Sequence, residues 1–325
     1  MWKKHREAKG ESVDGHSKLI FTTDERLVKS VAVENRVFVF WQNGGGLPEY
    51  IKLCLKTFLK YNPSKTLFFL NYDNIGLLCP ELKSKMNMTK FHRTSLPMQS
   101  DILLMNVLLK FGGTFIDADM IFTGSAWFDE VFASKRQVLS GFGVKGNHMH
   151  LALISCNYEA NHYLGYLVTE QLGKFDQIPE NGEYTNGGKG AWFGIDVVGP
   201  LVKRFRSAED IFIADNKLFL LEIFEAFNFK SVTGFPYGQD LYQSFYFGEP
   251  GNSLSLEHIL HAAHYDIIAL HNSWTPKEYK EMSIPEFVNS DLLISRIFKR
   301  LLTEDEINET CLMSLPISVF SRIVT

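Results

Sequence analysis

Asp117 and Asp119 stand one residue apart at the end of the apolar run Thr114-Phe115-Ile116, and they are the residues of this chain best suited to chemistry. Two carboxylates so close repel each other unless something positive lies between or beside them. A divalent cation is the simplest partner, because hard cations take carboxylate oxygens and bridge to phosphate. A third acid, Asp101, lies upstream at the head of an apolar stretch. The pattern points to a site for a metal or a phosphate-bearing ligand; the plainer alternative is a solvated turn.

Those acids need elements to hold them. Ile102, Leu103, Leu104, Met105, Val107, Leu108 and Leu109 predict a helix that is apolar on nearly every side, as expected inside a large core. Gly112 and Gly113 suit the positive φ that ends a helix, and Thr114-Phe115-Ile116 reads as a strand. Upstream, Arg36 to Trp41 is a buried strand that stops at Gln42-Asn43-Gly44-Gly45-Gly46. Pro48 suits the first turn of the next helix. Its apolar face carries Tyr50, Ile51, Leu53, Cys54, Leu55, Phe58 and Leu59, and Asn62-Pro63 ends it. Leu67 to Leu70 is a second strand, followed by Asn71-Tyr72-Asp73-Asn74. Strand, helix, strand argues a parallel βαβ unit and an α/β fold with a mostly parallel central sheet flanked by helices. Ligands of such sheets bind beyond the carboxyl ends of the strands. The glycine triplet, Asp73 and the acid pair all fall there.

Further along, Gln137-Val138-Leu139 reads as a strand and Leu151 to Leu172 as mostly helical, with Ala152, Ile154 and Tyr158 on its apolar positions. Phe175 to Gly190 reads as a long surface loop, the kind that often serves as a lid. Gly199-Pro200 marks a helix start, Phe212 to Phe229 holds a helical run, and Val232 to Pro236 turns. Tyr265 to Leu270 is a last buried strand ending on His271-Asn272-Ser273-Trp274. The tail from Ile284 onward reads as helical, charged and packed on the outside. The expected organisation is a polar, mobile tail with one short helix over residues 1–34, a main domain over 35–283, and a helical extension over 284–325.

Composition narrows the partners. The chain has 325 residues and a net charge of -4, which gives no reason to expect nucleic acid. A phosphate-bearing ligand would need local help from a metal or helix N-termini. Cys54, Cys79, Cys156 and Cys311 form no C-x-x-C pair, against a zinc framework. Reduced thiols and a cytoplasmic setting are favoured. Asn87-Met88-Thr89 and Asn308-Glu309-Thr310 match a glycosylation acceptor pattern, which keeps the Golgi lumen and a membrane-associated setting as alternatives. No apolar run approaches the ~20 residues of a membrane span.

The run from Ser100-Asp101 through Lys110-Phe111-Gly112-Gly113-Thr114-Phe115-Ile116-Asp117-Ala118-Asp119-Met120 resembles the core of D-x-D sugar transferases. These include the capsular polysaccharide synthesis, yeast mannosyltransferase and lactosylceramide galactosyltransferase types and the clostridial glucosylating toxins. Blocks at Val37 to Leu55, Leu70 to Asn74 and Ala269 to Trp274 are similar in the same order. The likeness covers residues 36–122 and 265–274. It implies a GT-A-type, Rossmann-like nucleotide-sugar domain and a metal-dependent transfer of a hexose from a UDP- or GDP-sugar to a glycan, lipid or protein acceptor. It also implies that 35–283 is the catalytic domain, with 35–125 its donor-binding half and 126–264 its acceptor-side region, and it implies roles. Phe40 and Trp41 would hold the nucleotide base, and Asp73 would lie in the donor site. Asp101 would hydrogen-bond the donor sugar. Asp117 would contact ribose or the metal through water, and Asp119 would ligate Mn2+ or Mg2+. His271, Asn272, Ser273 and Trp274 would close over the diphosphate, with His271 as a further metal ligand. The likeness departs at one point: the usual pattern is S-D-x-x-R, and Leu104 stands at the arginine position, leaving Arg93 or Lys110 as substitutes. No second carboxylate suggests itself as a base, which is compatible with retention of configuration.

Other patterns are weaker. His258, His261 and His264, with Asp266, drift around a helix and read as a polar face, with a metal site as the lesser alternative. Gly44-Gly45-Gly46 lacks the dinucleotide fingerprint; it is either a flexible turn or a backbone approach to phosphate. Trp192-Phe193-Gly194 and Phe235-Pro236-Tyr237 are core or an acceptor wall. Lys203, Arg204 and Arg206 read as a solvated face. Two competing functions stand beside the transferase. One is a phosphotransferase of the haloacid dehalogenase type with Asp117 as nucleophile; the other is an inactive nucleotide-sugar or carbohydrate-binding module, for which Leu104 is the argument.

Overall fold

The computed structural model describes residues 18–42, 46–125, 128–129, 139–144, 148–181, 185–186, 189–190, 211–214, 239–248, 267–313 and 315. The chain enters through β1 (Lys18–Ile20), α1 (Glu25–Ser30) and a 3-10 turn at Val33–Asn35. This segment is structured, where the sequence suggests a mobile tail. β1 adds to the sheet edge beside β3 (Thr66–Leu70), and the Asp24 side chain caps α1 at Arg26 N–H, 2.8 Å. Val28 is the one buried residue of α1, so the segment carries little apolar periodicity to read.

β2 (Arg36–Phe40) follows, and all of it is buried. Successive side chains of a strand leave opposite faces. Val37 and Val39 therefore join one apolar cluster, and Phe38 and Phe40 the other. α2 (Glu49–Tyr61) covers the first face. β3 pairs with β2 in parallel. The chain then crosses to the second face through α3 (Tyr72–Leu78), α4 (Leu82–Lys85), α5 (Met88–Phe91) and α6 (Leu96–Phe111). β4 (Gly113–Ile116) returns on the other side of β2, again parallel. The order β3-β2-β4 makes a topological switch: the loops after β2 and β4 leave adjacent strand ends in different directions, and a crevice opens between them.

The turn before β4 explains its glycines. Gly112 has φ 61° and Gly113 φ 95°, a region in which side chains strain. A Cβ on Gly113 would also lie 2.6 Å from the Arg36 carbonyl oxygen. Arg36 itself is buried. It donates to the carbonyls of Phe111, Val31 and Lys29 and pairs with Glu159, tying the amino end of β2 to the carboxyl end of α6.

β5 (Met120–Phe122), β6 (Leu139–Val144) and β7 (His148–Cys156) come next. β7 corrects the helical reading of residues from Leu151. It lies antiparallel between β4 and β6 with both faces covered, Ala152 and Leu153 in one cluster and Ile154 and Cys156 in the other. A strand buried on both faces reads as a continuous apolar run, which periodicity cannot distinguish from a helix. The helix begins later, as α7 (His162–Asp176), and Tyr158 lies exposed in the turn before it. α7 also occupies the first residues of the expected Phe175 to Gly190 loop; beyond it, β8 (Thr185–Asn186) and β9 (Lys189–Gly190) pair as a short ribbon. β10 (Ile211–Ala214) is a strand where a helical run is expected. The main sheet runs β1-β3-β2-β4-β7-β6-β10 and is mostly parallel.

α8 (Gln239–Phe247), β11 (Ile267–Ala269), α9 (Lys277–Lys280), α10 (Ile284–Asn289), α11 (Leu293–Leu301) and α12 (Glu304–Cys311) complete the described chain. The C-terminal helices are more than an outer layer. Ile284, Phe287, Ile294, Ile297 and Phe298 are buried in the cluster that α2 contributes to. Lys56–Glu309 and Lys60–Glu306 ion pairs, 2.6 and 2.7 Å, bridge α2 and α12. Among the described residues no helix is long and apolar enough to cross a membrane.

Candidate functional site

The acid pair sits at the switch point. Asp117 follows β4 directly, and its N–H donates to the Ala152 carbonyl at 2.7 Å, extending the pairing of β4 with β7 by one residue. Both acids are half-buried: atoms pack closely round them, yet each keeps an opening to solvent. Burial first, then the charges of Asp119 and Asp101, push the Asp117 carboxyl well above the ordinary carboxylate range. The charge of Asp101 thus reaches Asp117. Asp101 lies in the second turn of α6, because the helix starts at Leu96. Asp119 is raised to about 6. Burial raises it, while the Asn272 N–H, its own N–H and the charge of Lys280 hold it down.

A second segment closes over the acids from a distant part of the sequence. β11 pairs antiparallel with β5, placing Ala269 opposite Met120. Leu270 N–H donates to the Asp119 carbonyl at 3.0 Å, and Asn272 N–H donates to Asp119 Oδ2 at 2.8 Å. The turn that follows is braced from behind. His271 and Trp274 rings lie 4.2 Å apart, and Tyr242 meets both edge-on. Gln243 Nε2 donates to the Trp274 carbonyl. Burial lowers the His271 ring to about 4, so it is neutral at pH 7 and free of the protonation that blocks metal ligation.

The remaining expected residues divide. Trp41 is half-buried beyond β2, its N–H on the Leu70 carbonyl at 2.9 Å and its Nε1–H on the Gly46 carbonyl at 3.4 Å. Phe40 turns into the core against Tyr72, with ring centroids 5.9 Å apart, which leaves Trp41 as the ring open to a ligand. Asp73 is exposed in the first turn of α3, where Asn71 caps its N–H. Ser273 is exposed. Leu104 is 1% exposed in the core of the α6 face. Neither proposed substitute for an arginine there reaches the acids. Arg93 donates to the Glu180 carbonyl, and Lys110 is held by Glu25, Glu81 and the Leu78 carbonyl near the opposite end of α6 from Asp101. Lys280, half-buried on α9, is the cation whose field reaches Asp119. Composition gave no signal for it. Asn43 to Gly45, Trp192 to Gly194, Lys203, Arg204, Arg206, Phe235 to Tyr237, His258, His261, His264 and Asp266 lie outside the described residues.

The donor set suits a divalent cation that takes only part of its shell from the protein. Asp117 and Asp119 are oxygen ligands left crowded and raised, and His271 is a neutral nitrogen nearby in sequence to their partner Asn272. Among the described residues no three carboxylate, imidazole or thiol groups gather into a closed cage. Mg2+ and its like commonly bind in that open way, through one or two carboxylates with phosphate and water completing the shell. A separate cleft of about 350 Å³ opens among α10, α11 and α12, lined by Pro285, Val288, Leu302, Ile307 and Cys311 among others, and it shares no residue with the acid pair.

Residues 13–159 match the family model described as capsular polysaccharide synthesis protein, a stretch that contains β1 through β7, Asp101 and the acid pair. No curated protein matches the chain. Among solved structures the chain is similar to one titled PaToxG Glycosyltransferase, at 14% identity and a TM-score of 0.37 over 55% of this chain and 74% of that one. That likeness is too distant to bear on any residue.

Proposed function

We propose that this chain, a glycosyltransferase of the GT-A-like superfamily, moves a hexose from a UDP- or GDP-sugar to a hydroxyl of a glycan, lipid or protein acceptor. The observation that carries the reading is the raised carboxylate pair, Asp117 and Asp119, at the β2–β4 switch point beneath the turn from His271 to Trp274. Polysaccharide biosynthesis is the setting that the family match supports. In this reading Asp117 and Asp119 hold Mn2+ or Mg2+, with His271 as a further ligand. The cation supplies positive charge where the leaving diphosphate becomes more negative.

The protein's own groups do the rest. Trp41 stacks on the nucleotide base, and Asp73 stands at the carboxyl end of the neighbouring strand. Asp101 accepts from hydroxyls of the donor sugar. Ser273 and Trp274 cover the diphosphate and keep water from the anomeric carbon. Lys280 contributes positive charge beside Asp119, at a site whose expected arginine position is the buried Leu104. We read the transfer as retaining: the bond from the anomeric carbon to the phosphate oxygen breaks, the acceptor oxygen bonds to the same face, and the acceptor proton passes to the leaving phosphate.

Thermal shift with UDP and with GDP, each with and without Mn2+, tests the reading. Stabilisation by one nucleotide only when Mn2+ is present is the expected result. If neither nucleotide gives a metal-dependent shift, the donor site is misassigned. Leu104 favours a second reading, a binder of nucleotide sugars without turnover; release of free sugar from a panel of nucleotide sugars separates the two. The phosphotransferase alternative, with Asp117 as nucleophile, would show itself by release of phosphate from a phosphomonoester.

A further inference from the structure

We propose that Tyr50 is a positioning residue that fixes the orientation of the Asn272 side-chain amide, so that the amide presents its N–H2 donors to the diphosphate of the donor; this rests on the function proposed above. Tyr50 lies in the first turn of α2, beyond the β2 end of the crevice. Its ring is fully buried and stacked on Phe287, with centroids 5.7 Å apart and planes 20° from parallel. Its hydroxyl lies 2.7 Å from Asn272 Oδ1 and 3.3 Å from Thr275 Oγ1. A phenol has one proton to give. The shorter contact takes it, because Thr275 Oγ1 already has Tyr242 at 3.0 Å and donates its own proton to the His271 carbonyl at 3.3 Å.

Asn272 is thereby fixed at two points. Its main-chain N–H is on Asp119 Oδ2, and its side-chain oxygen is on Tyr50. The end of the amide left over is N–H2, the only part of that side chain that can donate. A phosphate accepts and does not donate, so it attracts N–H2 and repels the carbonyl. An amide rotated by half a turn swaps the two ends at almost no steric cost. The proton of Tyr50 is what decides between them. A helical tyrosine is ordinarily read as part of an apolar face, and here the hydroxyl at its tip carries the function.

The test uses the full chain with Mn2+ and inorganic pyrophosphate, which carries the diphosphate chemistry without base or sugar, beside UDP and GDP. Tyr50→Phe keeps the ring and its stacking, so the unliganded melting temperature should stay close to that of the unaltered protein. Its affinity for pyrophosphate with Mn2+ should fall about tenfold, the worth of one charge-assisted hydrogen bond. Asn272→Ala should lose as much, and the double variant no more than either alone. In donor hydrolysis, KM should rise more than kcat falls. Unchanged pyrophosphate affinity in Tyr50→Phe, or losses that add in the double variant, would overturn the inference. If Tyr50→Phe fails to fold, Asn272→Asp decides: it keeps the shape but turns the donor end into an acceptor, and affinity equal to that of Asn272→Ala or better refutes the assignment. A failure of the unaltered protein to bind pyrophosphate, UDP and GDP with Mn2+ sinks the donor site and this inference together. Binding by the unaltered protein with indifferent variants sinks only the role of Tyr50.

Discussion

Replacing Asp119 by Asn should stabilise the metal-free protein at neutral pH while abolishing metal-dependent nucleotide binding. The Asp119 carboxyl moves from an ordinary 3.8 to about 6 on folding. The folded state therefore holds the proton more tightly than the unfolded chain does. Above pH 6 both states are ionised, and the folded state bears the full cost, about 3 kcal/mol at 1.36 kcal/mol per pH unit of difference. As pH falls through about 6 the folded state takes up the proton first, and the cost is gone below about pH 4. The amide that replaces the carboxylate would keep an oxygen for the Asn272 N–H, so the brace over the site survives. Unfolding by urea in the presence of a chelator, at a series of pH values, measures the difference between the two proteins. The difference matters more than either curve, because His271 works the other way. Its ring is lowered from 6.5 to about 4, so it costs the folded state stability as pH drops through 6.5. That contribution is common to both proteins and cancels. The variant should be more stable near pH 7.5, by about 3 kcal/mol from Asp119 itself and further by relief of its repulsion on Asp117, and the two proteins should converge near pH 4. A variant less stable than the parent at pH 7.5, or a gap that does not close on acidification, would refute the crowded-carboxylate account of the site.

Three further outcomes follow from named contacts. Gly113→Ala forces a side chain into φ 95° with its Cβ 2.6 Å from the Arg36 carbonyl oxygen, and should cost about 3 kcal/mol or more in urea unfolding. Lys280→Ala should weaken nucleotide binding with Mn2+ several-fold and Lys280→Arg should restore it, as read by calorimetry; equal affinity in all three would remove Lys280 from the site. Trp41→Ala should weaken UDP or GDP by about 1–3 kcal/mol, the worth of a base on a ring, and leave inorganic pyrophosphate untouched, which separates stacking from general damage.

How much of this was legible in the sequence depends on how local the signal is. β2, α2, β3, α6, β4 and the acids after β4 are written in short windows: apolar runs, a Gly-Gly turn, paired carboxylates. β7 was not legible, because Ala152 to Cys156 is buried on both faces and its apolar run has no period to give it away. Asn272 and its neighbours could be expected beside the acids only by resemblance. The contacts that hold them there, Asn272 to Asp119 and Tyr50 to Asn272, join residues far apart in the chain. Lys280 and Tyr242 had no signal, since a charged helix end and a tyrosine in a polar stretch are both commonplace. Leu104 was legible as an anomaly. The structure packs it, 1% exposed, among apolar side chains of the α6 face.

The pairing of β5 with β11 also fixes when the site can exist. Met120 and Ala269 are opposed in that ribbon although about 150 residues separate them, a loop whose closure is entropically slow to reach. During synthesis the acids emerge long before their cover. Until Ile267 to Trp274 arrives, the Asp119 carboxylate lacks its main-chain donor and Met120–Phe122 presents an unpaired strand edge, the kind of surface that invites aggregation. A chain cut before Ile267 would contain every acid of the site and still lack the Asn272 donor that steadies Asp119. The cover over the acid pair is thus acquired in a long-range contact, after the acids themselves have emerged.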